Sequence, residues 1–262
     1  MKNTTIMIGS ARIDERGHTT GGKAGDQARE ISTQPWYKHS KGWIVIRSKE
    51  AVAAERIAEA MERACANPRI GYDQAQRLSL WNAVKDKGFD PGKASAPCET
   101  DCSALVRVCC AYAGIITPNF TTADEVKTLR ATGRFDILRD SKYTEKQSQL
   151  LRGDILCTKT KGHTAVVLSD GSKAEPRVIS LGSRPLKRGC KGADVTELQR
   201  RLRQLSYNLG PYGKNHDGVD GDYGSRTSLA VYDFQDDYLP ALKPTGEADT
   251  ETTIPHLIAV TE

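Results

Sequence analysis

Hydrophobic and polar positions in the first part of the chain follow both helical and strand spacing. One group of apolar residues recurs at three- to five-residue steps and predicts a helix that ends before Pro68: Val52, Ile57, Met61, Ala64. Apolar runs predict strands at residues 43–46, 154–158 and 164–168. The short polar turn between the last two strands predicts a hairpin.

Three further helices are predicted between the first helix and the hairpin. One starts near Asp73 and stops at Gly88, and another covers residues 124–131. Between them, a helix over residues 101–113 begins at a Thr or Asp cap and ends at Gly114. This pattern predicts an α+β fold, with helices packed on an antiparallel sheet.

The second part of the chain has a different pattern. A polar, proline-containing segment at residues 173–183 predicts a linker between a first domain, 1–172, and a second, 184–262. Helical spacing in the second domain is clearest at Val195, Leu198, Leu202 and Leu205. A weak internal echo between DGDYGSRT and TGEADTET suggests two copies of a small motif.

Composition narrows the class of protein. Hydrophobic residues make up 38% and charged residues 27%, as in ordinary globular chains, and aromatic residues make up only 6%. The low aromatic content does not indicate a nucleic-acid stacking surface, and no apolar run approaches the roughly 20 residues of a membrane span. Because MKNTTIMIGSARIDERG lacks the features of a signal peptide, we expect synthesis in the cytoplasm.

The net charge of +5 is unevenly shared. Residues 181–262 hold 10 basic and 12 acidic residues, whereas the rest of the chain holds 28 basic and 21 acidic residues. A positive first part attracts anionic polymers, either nucleic acid or an acidic cell-wall polymer. The basic residues are scattered, which favours an ordinary solvated surface.

Seven cysteines, an odd number in a chain without a signal peptide, argue against a disulfide framework. Four of them cluster and make a zinc site one alternative: Cys98, Cys102, Cys109, Cys110. Their spacing lacks the paired C-x2-C pattern that is typical of tetrahedral zinc. We therefore expect neither a metal nor another cofactor.

Cys102 and His163 are the candidates for nucleophilic catalysis. Cys102 lies in the first predicted turn of its helix, where unpaired N–H groups favour a thiolate and can hold an oxyanion. Of five histidines, only His163 opens a strongly apolar strand directly after a glycine, where its ring can act as a base. The spacing alone leaves two alternatives open, a structural histidine and a cysteine that acts as a small apolar residue.

These residues carry a resemblance to a known family. ETDCSALVRVCCAYAG (99–114), followed by RGDILCTKTKGHTAVVL (152–168), resembles the NlpC-type papain-like cysteine peptidases, and the first domain as a whole resembles phage cell-wall hydrolases. The resemblance implies a papain-like fold, with Cys102 as nucleophile and His163 as general base and then acid. It also implies that Asp101 and Ser103 bind substrate at the helix start and that Tyr72 approaches the oxyanion or the substrate amide.

One part of the family pattern is missing. NlpC-type enzymes place a third polar residue on the strand after the histidine strand, but SDGSKAEPRV reads here as turn and linker, with only Glu175 at a suitable distance. The alternative is that the N-terminal segment orients His163 or binds substrate, through a group of polar residues: Glu15, Asp26, Gln27, Glu30. The GGKAGDQ loop lacks the pattern of a phosphate-binding loop. The sequence pattern does not identify the third residue.

The second domain carries another resemblance. Residues 184–258 contain the blocks of the small three-helix peptidoglycan-binding domain, among them DVTELQ, DGDYGSRT and AVYDFQ. Gly221 and Gly224 bend the central loop, and we expect Asp220, Asp222 and Tyr223 to point outward and contact the wall. The loop lacks the order of ligands that calcium requires.

Together the two resemblances imply a peptidoglycan hydrolase, an endolysin of a phage or prophage that acts at the wall after release from the cytoplasm. It would cleave an amide bond as an endopeptidase or as an N-acetylmuramoyl-L-alanine amidase. Bacterial peptidoglycan is the expected partner, with no nucleic acid, no membrane insertion and a monomeric state. The alternatives are a non-catalytic wall-binding protein and a cysteine protease or acyltransferase acting on another substrate.

Overall fold

The computed structural model of the protein describes residues 5–160, 162–175, 180–213 and 215–262. The chain forms two compact units, Met1–Arg177 and Val178–Glu262. The predicted linker, 173–183, includes residues 176–179, which lie outside the described residues.

The described part of the first unit contains eight strands and five α-helices. The strands are β1 Met7–Ala11, β2 Ile31–Pro35, β3 Trp43–Ser48, β4 Ile70–Tyr72, β5 Cys98–Thr100, β6 Phe135–Leu138, β7 Ile155–Thr158 and β8 Thr164–Val167. The helices are α1 Ala51–Cys65, α2 Ser79–Val84, α3 Cys102–Tyr112, α4 Glu125–Ala131 and α5 Ser141–Thr144. Short 3-10 turns cover Lys85–Lys87, Pro91–Lys93 and Gln147–Gln149.

Six of these strands form one antiparallel sheet in the order β2-β1-β8-β7-β3-β6, and β4 and β5 form a separate parallel pair. The predicted α+β class with an antiparallel sheet is therefore confirmed. The β7–β8 hairpin is also confirmed, with Leu156 paired to Ala165.

The predicted start of the second helix is wrong. The structure begins α2 at Ser79, because the Asp73 carboxylate accepts hydrogen bonds from the backbone N–H groups of Ala75 and Gln76. Such bonds stabilise a turn in competition with a helix. Strands β1, β2, β4, β5 and β6 were not predicted.

Alternation along the strands gives the sheet two different faces. On the helix face, which packs with α1 and α3, lie Ile46, Ile155 and Val166. On the opposite face lie the side chains of a second apolar cluster: Ile8, Trp43, Val45, Leu156, Ala165, Val167. Gly9 lets α1 approach β1, since a Cβ there would lie 2.5 Å from Met61 Cγ.

The described part of the second unit is helical, with α6 Ala193–Gln204, α7 Ser225–Tyr238 and α8 Thr253–Thr261. Its core contains apolar residues from all three helices, among them Val195, Leu198, Leu202, Phe234 and Leu257. This confirms the predicted helical C-terminal region.

The weak internal sequence repeat of the second unit corresponds to a repeated hydrogen-bond pattern in the structure. The Gln199 side chain accepts from the N–H groups of residues 220 and 221 and donates to the carbonyl of Asp222 and to Thr227 Oγ1. In the same way, the Gln235 side chain accepts from the N–H groups of residues 245 and 246 and donates to the carbonyl of residue 247 and to Thr253 Oγ1. Each glutamine thus ties one helix to the loop that precedes the next.

None of the helices in the described ranges is both long and apolar enough to cross a membrane.

Candidate functional site

Cys102 is the first residue of α3, and Asp101 caps this helix. Asp101 Oδ1 accepts a hydrogen bond from the backbone N–H of Ala104 at 2.7 Å and from Ser103 Oγ at 3.0 Å. Because the Asp101 side chain satisfies a backbone N–H at the start of the helix, α3 begins at Cys102. The Cys102 side chain therefore lies at the N-terminus of α3.

Arg77 secures this helix start from outside the helix. Its guanidinium donates to Asp101, to Ser103 Oγ at 2.9 Å, to the carbonyl of Phe120 at 2.7 Å and to Asn119 Oδ1 at 2.8 Å. Asp101 and Ser103 are both buried, so their oxygens are committed to internal partners. The substrate contacts expected of these two residues remain predictions. Arg77 itself was missed, since no motif or periodicity marks it.

The Cys102 sulfur lies in a nearly closed environment, with the residue only 6% exposed. Burial raises the pKa of the thiol to about 12, and the charges of Asp101 and Glu125 add to this effect. The backbone N–H groups of Thr164 and Ser103 face the sulfur and act in the opposite direction. At neutral pH, therefore, the resting side chain is a thiol and needs a base to become a nucleophile.

His163 does not face this sulfur. Its ring centroid lies 6.2 Å from the ring of Trp43 and 6.3 Å from the ring of His39. The next side chain, Thr164, donates to Glu125 on the helix face, so alternation directs His163 toward the opposite face with Trp43. Within the described ranges, no hydrogen bond joins the His163 ring to Cys102. The expected direct contact between the two side chains is wrong for this arrangement.

The environment of His163 favours its neutral form. Burial lowers the pKa of the imidazole to about 4, and electrostatic interactions with His39 and Arg12 contribute to this shift. No carboxylate in the described part of the chain is hydrogen-bonded to this ring, so the structure does not supply the missing third residue of the family pattern. The ring's neighbours are aromatic instead.

Glu125 is a second buried group beside Cys102. Its Oε1 accepts from Thr164 Oγ1 at 2.7 Å, while Oε2 has no hydrogen-bond partner among the described residues. Burial raises the pKa of this carboxyl to about 8. Glu125 was also missed by the sequence analysis, because a glutamate at a helix start reads as a surface residue.

Tyr72 lies in the neighbourhood of Cys102. Its hydroxyl accepts from Gln74 Nε2 at 3.0 Å, and its backbone N–H donates to Glu30 Oε2 at 2.7 Å. Burial raises the pKa of the phenol to about 12, with further contributions from Cys102 and Asp101. The parallel pairing of β4 with β5, which precedes α3, holds Tyr72 at this end of the helix.

Asp26 and Gln27 shape the glycine-rich loop. Asp26 Oδ1 accepts from the N–H groups of Ala28 and Glu30, and Gln27 Nε2 donates to the carbonyls of residues 24 and 25. These bonds fold the loop on itself, and neither side chain is hydrogen-bonded to Cys102 or His163. Glu15 and Glu30 likewise bond within this region, to backbone N–H groups.

Three other cysteines of the first unit lie in surroundings that differ from that of Cys102. Cys109 and Cys110 are buried in the apolar core, and the Cys98 thiol faces the carbonyl of Arg69. Within the part of the chain that the structure describes, no three His, Cys, Asp or Glu side chains are grouped as metal ligands.

In the second unit, the central loop differs from the prediction in the position of Tyr223. Tyr223 is fully buried, and its hydroxyl donates to the carbonyl of Gly246 at 3.0 Å. The expectation that Tyr223 points outward is therefore wrong, because the ring fills the core of the unit. Asp222 is half-buried and pairs with Lys191 at 2.7 Å, whereas Asp220 is exposed and accepts from Gln199 Nε2 at 2.8 Å. Both aspartates line a cleft of about 310 Å³.

Comparisons with known proteins match both units. A family model described as "Endolysin-like domain" matches residues 8–174, and one described as "Putative peptidoglycan binding domain" matches residues 191–253. A solved structure titled "The crystal structure of SleB N-terminal domain" is 32% identical, covers 32% of this chain and 100% of its own, and has a TM-score of 0.26. No curated protein matches the chain.

Neither family description names an NlpC-type peptidase, and that resemblance stays a prediction. The first model, however, covers more than half of the chain, and its match includes every strand and helix of the first unit's described part except the beginning of β1. The chain therefore belongs to the family of proteins with an endolysin-like domain.

Proposed function

We propose that this cell-wall-acting lytic protein hydrolyses an amide bond of the wall peptide, with Cys102 as its nucleophile. The proposal rests on one observation: the Cys102 sulfur lies at the start of α3 and faces the N–H groups of Ser103 and Thr164. Such N–H groups can stabilise the negative charge that develops on a carbonyl oxygen under attack.

His163 is the proposed base, and its side chain must turn to act. The amide nitrogen that faces the sulfur belongs to Thr164, so the backbone of His163 is already adjacent to Cys102. A change of the His163 side-chain torsions, with the wall peptide bound, would carry the imidazole from Trp43 to the sulfur. The lowered pKa of His163 keeps the ring neutral and able to accept a proton.

The reaction proceeds in two balanced halves. The imidazole takes the proton of the Cys102 thiol while the sulfur bonds to the amide carbon, and the C–N bond then breaks as the imidazolium gives that proton to the leaving amine. In the second half, the imidazole takes a proton from water, whose oxygen attacks the thioester. The C–S bond breaks, the acid product leaves, and the proton returns to the sulfur.

Neighbouring residues support this chemistry in different ways. The Tyr72 hydroxyl accepts from Gln74, which leaves its own hydrogen free to donate to the substrate or to the oxyanion. Asp101 and Ser103 act mainly through the position of α3, since Arg77 occupies their oxygens. Asp26 and Gln27 would contribute to substrate binding only by fixing the shape of the glycine-rich loop.

The second unit would keep the enzyme on its polymer. Tethering raises the local concentration of substrate without any new catalytic contact. Asp220 and Asp222 are the proposed wall contacts, since they line an open cleft.

Digestion of purified sacculi tests the proposal. The parent protein should release new amino groups and no reducing sugar ends, and mass spectrometry of the muropeptides would distinguish an endopeptidase from an amidase. Cys102→Ala should abolish the release, whereas Cys65→Ala, the matched control on α1, should retain it. Undiminished digestion by Cys102→Ala would refute the mechanism, and absence of digestion by the parent would favour a non-catalytic wall-binding protein.

A further inference from the structure

A cleft of the first unit, which Cys102 does not line, lies between α4 and β6, an edge strand of the sheet. Its volume is about 450 Å³. Three basic side chains, one acidic side chain and several apolar groups line it: Lys49, Val126, Arg130, Gly133, Phe135, Asp136, Ile137, Arg139. Nothing in the proposed hydrolysis uses this cleft.

Arg130 and Arg139 have guanidinium groups that are available to a ligand. Both residues are exposed, and within the described ranges neither guanidinium forms a hydrogen bond or an ion pair with the protein. Other arginines of this unit are paired, such as Arg47 with Asp154 and Arg152 with Glu55. The two unpaired groups on one cleft therefore form a local excess of positive charge.

Lys49 adds to this excess at the same cleft. Its ammonium donates to the carbonyl of Gly133 at 2.9 Å and lies 3.9 Å from the exposed carboxylate of Asp136. The backbone bond holds the ammonium at the cleft, and the distant, solvated carboxylate offsets only part of its charge. One acidic group against three basic groups leaves the cleft positive.

The apolar part of the lining limits the kind of anion that fits. Val126 and Ile137 are half-buried and line the cleft, so carbon surface lies between the charged groups. A ligand that alternates anionic groups with short carbon segments would contact both. The net positive charge of the first 180 residues also attracts a polyanion over a longer range.

We propose that this cleft binds the phosphodiester groups of an anionic wall polymer, with Arg130 and Arg139 as the main contacts. A planar guanidinium can donate two parallel hydrogen bonds to one phosphate. Polyol segments between successive phosphates would lie against Val126 and Ile137. The first unit would then have a wall contact of its own, distinct from that of the second unit.

Titration of the full-length protein with soluble poly(glycerol phosphate) tests this site. The double variant Arg130→Ala, Arg139→Ala should bind the polymer at least roughly tenfold more weakly, since each charge-assisted hydrogen bond contributes about that factor or more. The control, Arg69→Ala with Lys85→Ala, removes the same charge from exposed positions outside the cleft and should retain the parent's affinity. Thermal unfolding would verify that both variants are folded.

Poly-L-glutamate of similar length separates phosphate from carboxylate recognition. The parent should bind it more weakly than poly(glycerol phosphate), and the cleft variant should change that binding less. No binding of the phosphate polymer by the parent, equal losses in the two double variants, or equal affinity for both polymers would overturn the proposal. Since binding is measured without lysis, its outcome is independent of Cys102.

Discussion

The guanidinium of Arg77 bonds to both carboxylate oxygens of Asp101, the residue that caps the helix carrying Cys102. The same group reaches Ser103 and the carbonyl of Phe120. The position of the candidate nucleophile thus depends on an ion pair that is mostly buried, with exposed side-chain fractions of 14% for Arg77 and 10% for Asp101.

Arg77→Met should destabilise the protein strongly. The change leaves the Asp101 carboxylate buried without its partner, and loss of one member of a buried pair costs about 3–5 kcal/mol. The control, Arg134→Met, removes a more exposed pair with Glu50 and should cost at most about 1 kcal/mol. Urea unfolding of both variants measures the difference, and equal losses would show that Arg77 does not secure the helix start.

Glu125→Gln should change the pH dependence of stability. The folded-state pKa of Glu125 is raised from 4.5 to about 8 by burial, so its contribution is fully present below pH 4.5 and is lost as the pH rises toward 8. The difference between the Tm of the variant and the Tm of the parent should therefore increase as the pH rises from 4.5 to about 8. Glu145→Gln, at an exposed position, should show no such trend. A constant Tm difference for Glu125→Gln would contradict the raised pKa.

Tyr223→Phe should weaken the second unit. Removal of the hydroxyl takes one of two donors from the carbonyl of Gly246, which keeps the bond from Ser228 Oγ, at a cost of about 0.5–1.5 kcal/mol. Tyr212→Phe is the matched control, because Tyr212 is 57% exposed and should change the stability little. Thermal unfolding monitors both changes. Unfolding of Tyr223→Phe at the same temperature as the parent would show that the hydrogen bond to Gly246 does not stabilise the second unit.

His163→Ala should reduce kcat by about 10²–10⁴-fold, the usual contribution of a general base, with little change in KM. His39→Ala, which removes the neighbouring ring, should leave most of kcat intact. The measurement is the initial rate of amine release from soluble muropeptides. Comparable rates for His163→Ala and the parent would remove His163 from the reaction and leave Cys102 in need of another base.

Much of the framework could be predicted from sequence because local patterns determine it. Strand β8 and helix α3 follow from apolar spacing and from a capping aspartate. Which face of β8 receives His163 could not be predicted, since His163 and Thr164 are adjacent polar residues at the strand start. Only the pairing of Thr164 with Glu125 decides the side.

Tertiary contacts account for the other differences. Arg77 joins segments that are far apart in sequence, so no local signal marks it. Tyr223 lies in a loop rich in glycine and aspartate, a composition that is typical of exposed turns, yet its ring anchors the loop in the core. Gln199 likewise reads as a surface position on α6, although its amide bonds to the loop before α7.

The most direct test of the mechanism is intact-protein mass spectrometry of samples quenched in acid during digestion of a muropeptide. Cys102→Ser should accumulate as an ester, because an oxygen ester is less reactive than a thioester. The acyl part of the substrate then adds its mass to that of the protein. Peptide mapping should then locate this mass on residue 102. An acyl group on another residue, or rapid turnover by Cys102→Ser without any acylated protein, would contradict the assignment of Cys102 as nucleophile.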